Sequence, residues 1–386
     1  TGYVADTIEV AKTKDSIEIV LTLNTQLHEV VISAERSSRF IDDEEVGYIE
    51  VVTNKELLKA ACCNLGESFT TNASVDVSYQ DAVTGAKQIQ LLGLAGAYTQ
   101  MLFENVPSLN GLGNSFGLGF VPGPWISEIN ISKGSASVVN GYESISGQIN
   151  VAYKKPADAE RHYFNAFQSS HYKTDLNANT TIELSEHLST ILLAHSNFVS
   201  KGLDDNNDSF IDNPKSAQYN FMNRWQLHTD FGLESQFGVQ YLTEKKTGGQ
   251  LVPMASGKQY RIDIDSRHFD INTKTGYVFD AENYTSLGLV LDLHQHDQNT
   301  LFGERKYDGT QNIFFSKLIF ETRWAEETHK LITGASFTVD KLTEDLGTFK
   351  QEKTENIPGL FLEYNYSPNN LFSVVPGIRV DFHNLF

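Results

Sequence analysis

The chain has 386 residues and a formal net charge of −19, from 49 acidic against 30 basic residues. Such a balance repels a polyanion, which excludes a nucleic-acid partner. No apolar run approaches the roughly 18 to 20 residues a spanning helix requires, whereas membrane strands need only about 9 to 11 with alternate positions apolar.

The chain begins "TGYVADTIEV". It has no basic n-region, apolar h-region or small-residue cleavage site, so it reads as mature or trimmed. Residues 1–26 alternate like two strands. Residues 27–34, "LHEVVISA", form a short β-branched stretch with an acidic flank. That composition suits a strand added to the edge of a partner's sheet; a linker or an ordinary strand is the plainer alternative. "NKELLKAACCNLGESF" reads as a short helix carrying both cysteines, Cys62 and Cys63. Their adjacency precludes a conventional disulfide framework. They read either as a soft-metal or disulfide pair or as small, partly buried residues, and two thiolates alone make an incomplete metal site.

Residues 40–156 form a small mixed segment. The short strands "KQIQLLGL" and "TQMLFENVP" precede a glycine-rich loop, "LNGLGNSFGLGFVPGP", and then "WISEINISKGSASVVNGYESISGQINVAYKKP". No βαβ context follows the loop, so its glycines are not a nucleotide fingerprint.

From about residue 160 onward, segments of roughly 10 residues alternate in polarity. In "QYNFMNRWQLH", Tyr219, Phe221, Trp225 and Leu227 oppose Asn220, Arg224, Gln226 and His228. "YTSLGLVLDLHQH" and "LFSVVPGIRVDFH" split the same way. Short turns at "SEHL", "DFGLE", "DAENY", "AEET" and "SPNN" alternate with long polar connections at residues 200–216, 246–264, 297–309 and 341–355. Short turns on one side and long loops on the other are the pattern of an outer-membrane barrel, not of a soluble sandwich. Tyr163, Phe164, Tyr364 and Tyr366 near strand ends suit aromatic girdles. About 11 strands fit before residue 386, an odd number that leaves an open edge, so the expectation is a fragment of a larger barrel.

The two halves together resemble TonB-dependent outer-membrane receptors. The resemblance rests on Ile126, Ile129 and Ile131, on Gly134 with Ala136 and Ser137, on Gly141, and on Gly147 with Ile149 and Asn150. These match the family's closing plug motif, in which glycines supply positive φ and close packing. "IQLLGL" resembles the central plug strand, with Leu92 where the family commonly has arginine. The fold implied is mainly β: a small α+β plug domain followed by an antiparallel transmembrane β-barrel of about 22 strands, about 11 of them present. The implied divisions are a remnant of a carboxypeptidase-regulatory-like β-sandwich at 1–26, a TonB box and linker at 27–39, the plug at 40–156 and barrel strands at 157–386. Such an N-terminal extension is similar to those of Bacteroidetes-type receptors.

On this resemblance Leu27, His28, Glu29, Val30, Val31, Ile32 and Ser33 would bind the TonB C-terminal domain, driven by its inner-membrane energising complex. The other partners implied are outer-membrane lipid of a Gram-negative cell and a small metal chelate such as a ferric siderophore, cobalamin or haem. No cofactor is required. In "LDDNNDSFIDNP", Asp204, Asn206, Asp208, the Phe210 carbonyl and Asp212 recur at the spacing of a calcium loop, which makes a structural Ca²⁺ an expectation. Ser209 in place of the turn glycine and Lys215 in place of the closing glutamate depart from that pattern, and a solvated acidic loop is the alternative. Asp292, His294 and His296 share one face of a strand and are candidate contacts for a chelate in transit. No HExxH or GxSxG motif is present, so enzyme activity is not expected. A passive porin-like channel and a soluble β-sandwich binding module are the alternative functions.

Overall fold

The computed structural model describes residues 39–42, 49–59, 63–70, 72–81, 83–108, 110–134, 136–253, 257, 259–369 and 372–385. The expected β-sandwich remnant, the TonB box at Leu27–Ser33 and Cys62 lie outside these residues.

The first body is organised by short, β-branched strands. Strands β1 (Arg39–Asp42), β2 (Ile49–Thr53), β6 (Thr99–Phe103), β7 (Val106–Pro107), β8 (Ile126–Lys133) and β9 (Gly147–Tyr153) form one six-stranded sheet in the order β1-β2-β8-β9-β6-β7. Only the β6–β9 pair is parallel among the described pairings of this sheet. A second, three-stranded sheet joins β3 (Val75–Asp81), β4 (Ala86–Leu91) and β5 (Leu94–Ala95). Ile126, Ile129 and Ile131 of β8 and Ile149 and Val151 of β9 are fully buried, together with Leu65 and Trp125. Removing a residue of that size from water contributes about 1.5–3 kcal/mol, enough to hold short strands that could not stand alone.

The single helix expected over 54–69 is instead two short ones, α1 (Asn54–Lys59) and α2 (Leu65–Ser68). Asn64 caps α2: its side chain accepts from the Glu67 N–H at 3.1 Å, and the Glu67 carboxylate accepts from the N–H of Cys63, one residue before the cap, at 3.0 Å. The expected strand "TQMLFENVP" is a hairpin, β6 to β7, turned at Glu104 and Asn105, whose φ of 50 and 66 make a tight left-handed turn.

The second body is a single antiparallel sheet in sequence order: β10 (His162–Gln168), β11 (Lys173–Glu183), β12 (Leu188–Val199), β13 (Lys215–His228), β14 (Leu233–Gly249), β15 (Arg261–Asp280), β16 (Thr285–Phe302), β17 (Arg305–Trp324), β18 (His329–Leu346), β19 (Phe349–Asn369), β20 (Phe372–Val374) and β21 (Gly377–Asp381). Both β20 and β21 pair with β19, so they are two stretches of one strand interrupted around Pro376. The sheet therefore holds the strand count read from the sequence.

Two of the expected long loops are corrected. Residues 297–309 and 341–355 are not loops: β16 and β17 meet in a hairpin at Gly303 and Glu304, and β18 and β19 in one at Gly347 and Thr348. The polar residues belong to strand ends that run past the apolar band. A strand of 20 residues, such as β17, is roughly 65 Å long at about 3.3 Å per residue, against an apolar band of about 25 Å. Polarity there reports water around a strand, not the absence of one.

The polarity of this sheet is inside out. Phe221 is 55% exposed while its neighbour Asn220 is fully buried. Leu287, Leu289 and Leu293 are exposed, whereas Asp292, His294 and His296 are buried. A soluble sandwich would reverse these faces; an apolar outer face and a polar inner one suit a wall with lipid outside. At the short-turn end Trp324, His329 and Tyr364 stack, with Trp324 and His329 ring centroids 5.3 Å apart, giving an aromatic cluster at an expected membrane edge. No described helix is long and apolar enough to cross a membrane.

Candidate functional site

The inner face of the sheet is occupied by the first body, which polar contacts tie to β11, β13, β15, β17, β19 and β21. Lys173 of β11 pairs with Glu67 at 2.7 Å. Asn220 of β13 donates to the Phe120 carbonyl at 2.8 Å, and Gln311 of β17 accepts from the Leu112 N–H at 3.0 Å. Lys317 of β17 donates to the Asn105 carbonyl, and Glu363 of β19 accepts from the Ser137 hydroxyl at 2.7 Å. Arg379 of β21 donates to the Val138 carbonyl at 3.2 Å.

Glu104 is the centre of this attachment. The left-handed turn presents its carboxylate to Arg224 of β13 at 2.6 Å and to Lys274 of β15 at 3.1 Å. Arg224 also donates to the Tyr153 and Lys154 carbonyls at 3.1 and 2.9 Å. Burial alone would raise the Glu104 carboxyl, but the Arg224 and Lys274 cations overcome it and hold the group down at about 2.

Beside this network lies a cavity of about 80 Å³, bounded by Phe103, Phe120 and Tyr153 on one side and by β13, β15 and β16 on the other. Its wall is set by register. His268 stands opposite His296, Asp270 opposite His294, and Asn272 opposite Asp292. Cross-strand neighbours on one face are about 4.5–5.5 Å apart, so the pairing gathers three imidazoles and two carboxylates. Asp292 bonds to His294 at 2.8 Å, and Asn272 donates to Asp270 at 2.6 Å. The His268 ring centroid is 5.8 Å from that of His294 and 5.9 Å from that of His296. Ligand-capable atoms of Asp270, Asp292 and His294 all lie within 4.8 Å of one another. The structure thus brings Asp292, His294 and His296 together as their spacing implies, and adds His268 and Asp270. "SRHFDINTK" alone shows only ordinary alternation, and its relevance depends on the register with the next strand.

At the long-strand end, a cleft of about 1150 Å³ opens between Gly111, Leu112 and Ser115 and the hairpin residues Tyr260, Arg305 and Tyr307. That is the size of a pocket for a drug-sized or larger molecule.

The other sequence candidates lie apart from this path. Asp204 accepts from the Asp208 and Ser209 N–H groups at 3.0 and 2.9 Å, Asn206 from Asp208 at 3.0 Å, and Asp208 from Phe210 at 2.8 Å. Asp212 accepts from the Asp205 N–H at 2.6 Å. The side-chain oxygens face their own backbone, and Ser209 takes the left-handed conformation, φ 71, that a glycine usually supplies. Cys63 is buried, and burial pushes its thiol up to about 12, which disfavours the thiolate a soft metal requires.

Residues 43–148 match the family described as TonB-dependent Receptor Plug Domain. No curated protein matches the chain by sequence. Among solved structures, the siderophore receptor PirA from Pseudomonas aeruginosa is similar over 89% of this chain and 57% of its own, at 16% identity and a TM-score of 0.65. The ferric yersiniabactin uptake receptor FyuA from Yersinia pestis is similar over 87% and 56%, at 14% identity and a TM-score of 0.69. A copper transporter, OprC, gives 86% and 55%, at 11% identity and a TM-score of 0.69. The chain thus spans a little over half the length of these structures, and the likeness is one of fold.

Proposed function

We propose that this chain, whose residues 43–148 are a TonB-dependent receptor plug domain, works in the energised import of a metal complex across the outer membrane of a Gram-negative cell. The observation that carries the reading is a polar inner wall filled by the plug and joined to it from β11 to β21. A passive channel gains nothing from such a stopper, and a soluble sandwich would not turn Phe221 and Leu293 outward.

In this reading the chelate enters the outer cleft beside Leu112, Tyr260 and Tyr307. Its binding favours a plug conformation in which Leu27–Ser33 are available to the TonB C-terminal domain, which takes them up as an added strand. Force applied through that strand then breaks the plug's contacts with the wall. Residues 1–26 as a β-sandwich remnant of a Bacteroidetes-type extension, and Asp204–Asp212 as a calcium-ordered outer loop, belong to the same proposal. The siderophore receptor, the ferric yersiniabactin uptake receptor and the copper transporter among the similar folds favour a metal-bearing cargo.

The test is uptake of radiolabelled ferric siderophores, haem and cobalamin by cells expressing the full-length protein, with and without TonB. One of these cargoes is expected to accumulate only in the TonB-positive cells. Equal uptake in both backgrounds would make the protein a passive channel.

A further inference from the structure

We propose that Asp270, Asp292 and His294, joined by His296 and His268, hold a bare divalent first-row transition ion of the zinc class inside the wall. This site is distinct from the outer cleft that would receive a chelate. The proposal uses the barrel part of the functional reading and not its cargo.

Three observations carry it. The first is the donor set, two carboxylates and an imidazole whose ligand atoms lie within 4.8 Å of one another. Around zinc, with bonds of about 2.0–2.2 Å, ligand atoms sit roughly 3.3 Å apart, so modest side-chain rotation closes the set. The second is His296, 3% exposed, whose two ring nitrogens have no hydrogen-bond partner although the residue lines the same cavity. A buried imidazole without partners forfeits about 1–3 kcal/mol per unsatisfied group, and a metal–nitrogen bond removes that cost. The third is electrostatic. Asp270 and Asp292 bring two carboxylates together, half-buried and buried, where a cation between them turns repulsion into attraction.

The chemistry of the donors narrows the ion. Imidazole suits zinc, copper, iron and nickel, and the carboxylates favour harder divalent ions over Cu(I). Magnesium and calcium prefer all-oxygen shells. A chelate that already saturates its metal has no coordination position left for these side chains, so the site selects an ion without a carrier.

The experiment uses the full-length protein, purified in detergent, stripped with EDTA, desalted and titrated with zinc chloride. Cobalt(II) serves as the spectroscopic probe. The Asp292→Asn/His294→Gln variant removes two donors, and His296→Gln removes an imidazole that makes no hydrogen bond, so it disturbs no network. An Asp204→Asn/Asp208→Asn variant subtracts ions held by the outer loop. The expected result is one more zinc equivalent per chain in the wild type than in the double variant. A visible cobalt band should vanish with the double variant, and His296→Gln should weaken affinity at least tenfold. Equal zinc in the wild type and the double variant, or unchanged affinity in His296→Gln, overturns the proposal. Zinc binding and TonB-dependent uptake are read separately, so the failure of one is distinguishable from the failure of the other.

Discussion

Glu104 places one plug carboxylate against two wall cations in a setting where its side chain is 12% exposed and that of Arg224 is 7% exposed. Removing one member of such a pair strands the others, at a cost of about 3–5 kcal/mol. Glu104→Gln is therefore expected to lower the melting temperature of the plug while leaving the wall folded. The pH dependence follows from the sign of the shift. The folded carboxyl is held down to about 2 from an ordinary value of 4.5. Its contribution is complete above pH 4.5 and is lost as pH falls toward 2. Plug protection from protease should decline across that window in the wild type, with a smaller change in Glu104→Gln. An identical decline in both would assign the acid sensitivity to other groups. Gly147 makes a second residue-scale case. Its φ is +150, and a Cβ there would lie 2.2 Å from the Ser132 carbonyl oxygen and 2.5 Å from Leu91. Gly147→Ala should destabilise the plug by about 1–3 kcal/mol, and Gly119→Ala, with nothing within 4 Å, should be neutral by thermal melt. The sequence singles out Gly147 by its motif. Glu104 escaped notice because a lone glutamate in a turn looks solvated until the wall is built around it.

At the scale of elements, the alternation of each strand divides lipid from lumen. Leu293 is 49% exposed on the outer face, beside buried Asp292 and His294 on the inner one. Leu293→Arg should cost up to about 2–4 kcal/mol if it sits near mid-membrane, measured as folding into lipid vesicles. Arginine at Gln298, which faces the lumen, should cost less in that assay. Equal penalties would remove the distinction between the two faces. The faces, strand count and short turns were legible because a period of two is written directly into the residues. The ends of β16 to β19 were not. Outside the apolar band polar residues fall on both faces, the alternation weakens despite residues such as Leu301 and Leu346, and a protruding hairpin reads as a loop. The cluster around His294 was half legible for a related reason: spacing along β16 is visible in sequence, whereas the register that adds His268 and Asp270 from β15 is a property of pairing.

Taken over all its strands, the wall is proposed to be closed by the plug, which applied work must displace. Val138 of the plug and Gly377 of β21 offer a direct handle. A Cβ built at Gly377 lies 3.6 Å from the Val138 Cβ, within the roughly 3.5–4.5 Å that a disulfide spans. The measurement is ionic conductance of the full-length Val138→Cys/Gly377→Cys protein in a planar lipid bilayer, oxidised and reduced, in buffer and in moderate urea. The expected result is a closed barrel in buffer, urea-induced opening in the reduced protein, and suppression of that opening by the disulfide. An open pore in buffer, or the same urea response in both redox states, would contradict it.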